Sequence, residues 1–253
     1  MSSAERKGYR DKIMELATLV QRSTRVYALT GAGCSTDSGI PDFRSPGTGL
    51  WEKVDPTKYS TAEVLYSDPV SFYKLGFARF KNLISARPNP GHYALAEMEK
   101  LGFLNGLITQ NIDGLHVKAG SKRIWEVHGH LRTASCTGCG ASYSFQDLLD
   151  KLAAKEIPPR CTCREMLRPD VVLFGDSMAD SYFEAEQALR AGCDLMIAAG
   201  TSLSVYPVAG LPRLAQKLAI INLQPTPFDR EAAVVIRENT SLVLGDLLTV
   251  LKE

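Results

Sequence analysis

His128 closes the segment Ile124-Trp125-Glu126-Val127, and an imidazole there has the proton affinity suited to acid and base work near neutral pH. Thr109-Gln110-Asn111-Ile112-Asp113-Gly114 follows a second apolar run, Phe103 to Ile108, so an amide and a carboxyl group stand just beyond a predicted strand. A third run, Val26 to Leu29, leads into Gly31-Ala32-Gly33, a tight turn whose backbone N–H groups suit the approach of a pyrophosphate. In open α/β sheets such carboxyl ends are where ligands bind. A histidine by itself reads more readily as structural, and a lone Gly-x-Gly as a plain turn; three converging strand ends favour a site.

The ordinary dinucleotide fingerprint would place a third glycine at position 36 and an acidic residue roughly 20 positions further on. Thr36 stands there instead, and no strand follows. Ile40 to Trp51 is rich in proline and glycine and reads as a long loop. It carries Phe43, Arg44 and Trp51, residues suited to ligand contact, and is expected to act as a flap over a cofactor.

Four more residues suggest a metal. Cys136-x-x-Cys139 and Cys161-x-Cys163, separated by 21 residues, offer four thiolates in two close pairs, the set that a tetrahedral zinc ion requires. Four sulfurs leave no open coordination position, so this zinc would be structural. Two disulfides or free thiols are the alternative, disfavoured because no secretory segment opens the chain. Cys34 and Cys193 read as ordinary small residues.

The elements that must position these groups alternate in the manner of an α/β, doubly wound parallel sheet. A first helix is expected over residues 3–22, with Ile13, Leu16, Leu19 and Val20 on one face. Later buried-type runs, Leu195 to Ala199 and Ala219 to Leu223, end in Gly200-Thr201-Ser202 and Gln224 and bring more polar groups to the same edge. A smaller module is expected in two pieces, 45–86, where prolines punctuate short helices, and 131–167 with the cysteines. The larger domain takes 1–44, 87–130 and 168–253. The cleft between them is the expected meeting place of ligands. His92, His116 and His130 read as helix or surface residues without chemistry. With 253 residues, 45% of them hydrophobic, and a formal charge of +1, the chain can bury a core and gives no electrostatic reason to bind nucleic acid or an anionic membrane. No run reaches the roughly 18 apolar residues of a membrane span, and a cytoplasmic location is expected.

GAGCSTDSGIPDFRSPGTGLW, TQNIDGLH, the EVHG ending at Gly129, the cysteine quartet and GTSLSVYP at 200–207 together resemble the sirtuins, NAD-dependent protein lysine deacylases, in order and over nearly the whole chain. The resemblance implies a Rossmann-like NAD-binding domain with a discontinuous helical and zinc-ribbon module. It implies transfer of an acetyl group from lysine to the ADP-ribose part of NAD, giving nicotinamide and 2'-O-acetyl-ADP-ribose. Asn111 and Asp113 match the nicotinamide pocket, with Ile112 between them, and His128 matches the base that takes a proton from a ribose hydroxyl. Gly31, Ala32, Gly33, Thr36, Asp42, Phe43 and Arg44 match the cofactor loop, while Gln110 and Ser35 match ribose and loop-supporting positions.

Gly200, Thr201, Ser202, Asn222 and Gln224 would take the adenosine end, where relatives commonly carry glutamate in place of Gln224. Asp246 and Leu247 match a segment that closes over adenine. Val171 to Asp176 resembles a strand that pairs with an extended acetylated peptide, placing Val172, Phe174 and Gly175 at the substrate; Asp176 replaces the usual glutamate, and the Cys-x-Cys pair is tighter than usual. No Tyr-x-x-Arg pair for acidic acyl chains is evident, which favours acetyl or longer apolar groups. Structural readings remain beside these: Ser35 or Asp113 as a helix cap, Gly245-Asp246-Leu247 as a helix start, Val172 and Phe174 as core. A mono-ADP-ribosyltransferase and a non-catalytic NAD-gated binding module are the alternative functions.

Overall fold

Strands whose two faces are both covered read as unbroken apolar runs, and this is how the central sheet is written. In the computed structural model, which describes residues 3–42 and 60–253, β1 (Val26–Thr30) and β7 (Leu195–Ala199) are buried at every position. They lie side by side at the centre of a six-stranded sheet that also contains β2 (Gly106–Thr109), β3 (Ile124–Glu126), β8 (Lys217–Ile221) and β9 (Val234–Ile236). The order is β3-β2-β1-β7-β8-β9, with every pair parallel. From β1 the chain first winds outward through β2 and β3, then returns to β7 and winds the other way. The reversal falls between β1 and β7, the place where doubly wound sheets open a crevice.

The register is level across all six strands. Glu126 lies opposite Thr109, Thr109 opposite Thr30, Thr30 opposite Ala199, Ala199 opposite Ile221 and Ile221 opposite Ile236. The six segments that follow these residues therefore leave the sheet along one edge.

Alternate residues of the strands feed two apolar layers. Ala28, Leu107 and Ile197 pack with α1 (Ser3–Gln21), α4 (Pro90–Lys100) and α8 (Thr240–Lys252) through Leu16, Val20, Leu95, Met98 and Leu244. Leu29, Ile108, Met196 and Ile220 pack on the other face with α7 (Asp180–Arg190) through Tyr182 and Leu189. In α1 the expected stripe is present: Ile13, Leu16 and Val20 are buried and Leu19 half-buried.

A third core lies apart from these layers. The antiparallel sheet β5-β4-β6, made of Ser142–Ser144, Gly129–Cys136 and Leu167–Val171, packs on α6 (Phe145–Ala153) and on α2 (Ala62–Ser67) and α3 (Pro69–Ser85). Helix α6 starts where Ser144 and Asp147 cap each other reciprocally, and it buries Phe145, Leu148, Leu149 and Leu152. Each such side chain contributes about 1.5–3 kcal/mol by leaving water. Chain 127–129 joins this module to the main sheet. Gly129 has φ +74, and a Cβ there would stand 2.2 Å from the Asp170 carbonyl oxygen, so only glycine fits directly after His128. Of the expected flap, Ile40 to Trp51, the part from Phe43 onward, Arg44 included, lies outside the described residues.

Candidate active site

The level strand ends frame one cavity of about 980 Å³, bordered by segments that follow each of the six strands and by the antiparallel module. After β1 the chain enters a 3₁₀ turn, Ala32–Ser38. Its root is locked to the loop after β7: Gly31 N–H donates to Ala199 O at 3.2 Å and Gly33 N–H to Gly200 O at 2.9 Å. A Cβ on Gly33 would lie 2.9 Å from Gly200, and one on Gly200, whose φ is +62, would lie 2.3 Å from Cys34 N. The glycines thus serve the contact of two backbones across the switch point. The N–H groups of Gly31 and Gly33, expected from the sequence to face phosphate, are spent inside the protein.

Beneath this turn lies a buried polar cluster. Ser35 Oγ donates to Asp113 Oδ2 at 2.7 Å, and Asn111 Nδ2 donates to Gly31 O at 3.0 Å and to Ser35 Oγ at 3.1 Å. Leu115 N–H donates to Asp113 Oδ1 at 2.8 Å, so Asp113 also caps α5 (Leu115–Ala119). Burial raises the affinity of Asp113 for its proton, opposed by the Leu115 N–H and the Ser35 hydroxyl. Gln110 reaches across to the β7 side, its Nε2 donating to Thr201 Oγ1 at 2.9 Å.

His128 has a defined orientation. Its Nδ1 lies 3.0 Å from the Gln110 carbonyl oxygen, which only accepts, so Nδ1 carries the proton and Nε2 holds the free lone pair. Burial lowers its affinity for a second proton more than that carbonyl restores it. The ring is therefore neutral at neutral pH and available as a base.

Two residues read as having no chemistry stand directly behind this cluster. His92 and His116 are fully buried, with ring centroids 4.6 Å apart. His92 Nδ1 accepts from Asn89 N–H in the capping box of α4, and its Nε2 lies 3.4 Å from Ser35 Oγ. His116 Nε2 is 3.0 Å from Thr30 Oγ1, which bonds Thr109 Oγ1, the acceptor of the Asn111 N–H. Proline at the first position of α4 and Asn89 before it signalled the helix start; the burial of both rings had no local signal.

Ala32, Thr36, Asp42, Ile112 and Ser202 line the cavity as expected, and so do Asn222 and Gln224 after β8. Asp246 and Leu247 do not. Leu247 is fully buried in the apolar layer against α1 and Asp246 accepts from Tyr9 Oη at 2.7 Å, because α8 begins at Thr240 with Asn239 as its cap. Glu238, Asn239 and Thr240 border the cavity in their place, with Tyr206 and Leu223.

On the module side, β6 ends at Val171, so Val172, Phe174 and Gly175 follow the strand and do not belong to it. All three line the cavity. Val172 N–H donates to His128 O at 2.9 Å, and Phe174 pairs with Ser60 and Ala62 through its own N–H and carbonyl. The four cysteine sulfurs meet away from the cavity wall: Cys136 and Cys163 are 3.4 Å apart, Cys139 and Cys161 3.6 Å, and all four lie within 4.8 Å of one another. Four ligands at about 2.3 Å from a tetrahedral ion would stand about 3.8 Å apart. Tyr143 Oη and the N–H groups of Gly138 and Cys139 point at these sulfurs, as they would to stabilise thiolates.

The sequence model of the Sir2 family matches residues 31–207. An NAD-dependent protein deacetylase 2 of Caldanaerobacter subterraneus subsp. tengcongensis is 51% identical over 237 residues, covering 93% of this chain and 94% of that protein. A solved Sir2 variant holding a deacetylated p53 peptide and 3'-O-acetyl ADP-ribose is 35% identical and superposes with a TM-score of 0.89, covering 94% of this chain and 98% of the other. A Sir2 complex with a p53 peptide and NAD is also 35% identical, with a TM-score of 0.85 over 94% of this chain and 98% of that one.

Proposed function

The chain belongs to the Sir2 family, and we infer from that membership and from its cavity that it is an NAD-dependent protein lysine deacetylase. It removes the acetyl group of acetyl-lysine with NAD as co-substrate. The observation that carries the reading at the level of residues is the alignment of six strand ends, by which Asn111, Asp113 and His128 reach one cavity.

NAD supplies a ribose carbon that becomes electrophilic as nicotinamide leaves. The protein's part is to position, shield and move one proton. Asn111 lines the cavity with its Nδ2 committed to Gly31 and Ser35, which leaves its carbonyl oxygen as the group with acceptor capacity, and Asp113 keeps lone pairs beyond those bonded to Ser35 and Leu115. Together they suit the carboxamide of nicotinamide. His128 Nε2 takes a proton from a ribose hydroxyl while Gln110 fixes the ring. Gly200, Thr201, Ser202, Asn222 and Gln224 serve the adenosine end, joined by Glu238 to Thr240. Val172, Phe174 and Gly175 receive an extended acetyl-lysine peptide, a mode that tolerates many sequences.

The cysteine quartet fits one zinc ion held by Cys136, Cys139, Cys161 and Cys163, where it would brace β4 and the turn before β6. In this reading the module comprises 45–86 and 129–171, the latter wider at both ends than the expected 131–167 because β4 and β6 pair along their whole lengths, and the rest forms the NAD-binding domain. None of the six cysteines forms a disulfide, which suits the cytoplasm. No described helix is long and apolar enough to cross a membrane.

Mass analysis after incubation with NAD and an acetyl-lysine peptide tests the reaction. Free nicotinamide with 2'-O-acetyl-ADP-ribose is expected. ADP-ribose on the peptide without loss of acetyl, or NAD binding with no nicotinamide released, would overturn it.

A further inference from the structure

Three buried side chains behind Ser35 and Asp113 take no part in the chemistry above. Cys34 of the 3₁₀ turn, His92 of α4 and His116 of α5 are each at most 1% exposed. The Cys34 sulfur and one nitrogen of each ring all lie within 4.8 Å of one another. His116 Nε2 faces Thr30 Oγ1, which spends its own proton on Thr109, so Nε2 carries the ring proton and Nδ1 holds a lone pair. That Nδ1 is buried without a hydrogen-bond partner among the described residues, a costly state for a polar atom and one that a ligand would relieve. The His92 ring makes two long hydrogen bonds, 3.2 Å from the Asn89 N–H to Nδ1 and 3.4 Å between Nε2 and Ser35 Oγ, either of which a metal bond can replace. Burial keeps both rings neutral and so able to ligate. The Cys34 thiol is pushed up to about 12 by burial and by the charges of Asp113 and Asp37, and those same charges favour a metal cation in the proton's place.

Two nitrogens and one sulfur, joined by no fourth sulfur, imidazole or carboxylate among the described residues, suit a soft ion that accepts three ligands. Cu(I) is such an ion. With one thiolate it makes a neutral site, which a dry interior tolerates where a net charge would be costly. With bonds of about 2.0–2.3 Å to a trigonal ion, the three atoms would stand about 3.7 Å apart, so at most about an ångström of closure is needed.

We propose that Cys34, His92 and His116 form a second metal site, suited to a soft monovalent ion of the Cu(I) type, and that filling it disables the cofactor cavity. Binding breaks the S–H bond of Cys34 and forms a Cu–S bond, the proton leaving to solvent; copper enters and stays as Cu(I), so nothing is oxidised. The way in is the cavity, bordered by Gly33 and Ser35 on either side of Cys34. Drawing the His92 ring onto the ion moves the group that backs Ser35 Oγ, the hydroxyl bonded to Asp113 and Asn111. The metal site stands on its three side chains alone, while its effect on the cofactor rests on the NAD-dependent reading.

The test titrates zinc-loaded protein anaerobically with Cu(I) held by bicinchoninate and reads NAD affinity by calorimetry before and after. One Cu(I) per chain is expected, with the zinc retained and X-ray absorption showing one sulfur and two nitrogens around copper. Uptake should weaken by roughly a hundredfold or more in Cys34→Val, which fills a similar volume, and in His116→Gln. One equivalent should weaken NAD binding roughly tenfold or more in the wild type and leave it unmoved in Cys34→Val. Copper that displaces the zinc, sits among sulfurs alone, or binds Cys34→Val as tightly as wild type would overturn the site. Copper in the expected shell with NAD affinity unchanged would overturn its hold on the cavity. Failure of the copper-free protein to bind NAD would strike at the deacetylase reading and leave a site that takes up copper standing.

Discussion

On the sheet side of the cavity, Ser35, Asn111 and Asp113 hold one another through hydrogen bonds no longer than 3.1 Å, rooted in strands buried at every position. On the module side, a three-stranded sheet rests on one apolar cluster and four thiols drawn from two distant turns. The first wall is organised by backbone register and needs no ion. The second has a small core, and small cores commonly depend on a metal for stability. The cavity thus joins a preorganised reactive face to a face whose integrity is chemical.

The sharpest way to break this contrast is at His128. In His128→Ala, kcat/KM for acetyl peptide is expected to fall by about a thousandfold, the range of a lost general base, with NAD affinity by calorimetry changed only a few-fold. Collapse of NAD binding in that variant would mean the reactive face is less preorganised than argued. Next in size is the metal. Cys163→Ser or a strong chelator should remove one zinc per chain and expose the amides of β4 and α6 to hydrogen exchange, while β1 and β7 stay protected. Equal loss of protection in both regions would erase the distinction between the walls.

Ser35→Ala removes the donor to Asp113 and an acceptor of Asn111 and leaves both buried, so about 1–3 kcal/mol is at stake. KM for NAD should rise by roughly tenfold, a change that steady-state kinetics resolves. Acid offers a gentler probe. His92, held at about 4 by burial, stays neutral in the folded state while the unfolded chain takes up a proton near 6.5. Its contribution to stability is complete above pH 6.5 and is lost as pH falls toward 4, about 2 kcal/mol being gone at pH 5. His116, lowered in the same direction, adds to the loss. Urea denaturation at pH 7 and pH 5 measures this, and His92→Gln should narrow the difference. The smallest expected effect is Gln224→Glu, which offers two acceptors to a ribose diol and should lower KM for NAD a few-fold.

What the chain discloses by itself follows the range of each signal. Asn111, Asp113 and His128 stood out because polar residues directly after apolar runs are local features, and the strand ends they mark are real. The family resemblance places Asp246 and Leu247 over adenine, with a helix start at Gly245 as the alternative; neither holds, because Asn239 caps the helix six residues before Gly245 and carries both residues into its interior turns. The role of Gly31 and Gly33 was invisible for a different reason: their partner, Gly200, lies across a crossover of more than 150 residues, and no local pattern reports which strands become neighbours. The two buried imidazoles behind Ser35 escaped for the same cause.

The interlocked glycines carry a lesson for anyone building chimeras within the family. Because residues 31–33 and 200–201 touch through main-chain atoms, with no side chain free to adjust between them, the two segments form one inheritable unit. A hybrid that takes β1 and its turn from one parent and β7 with its following loop from another should assemble only if both parents space those backbones alike, whatever the match elsewhere.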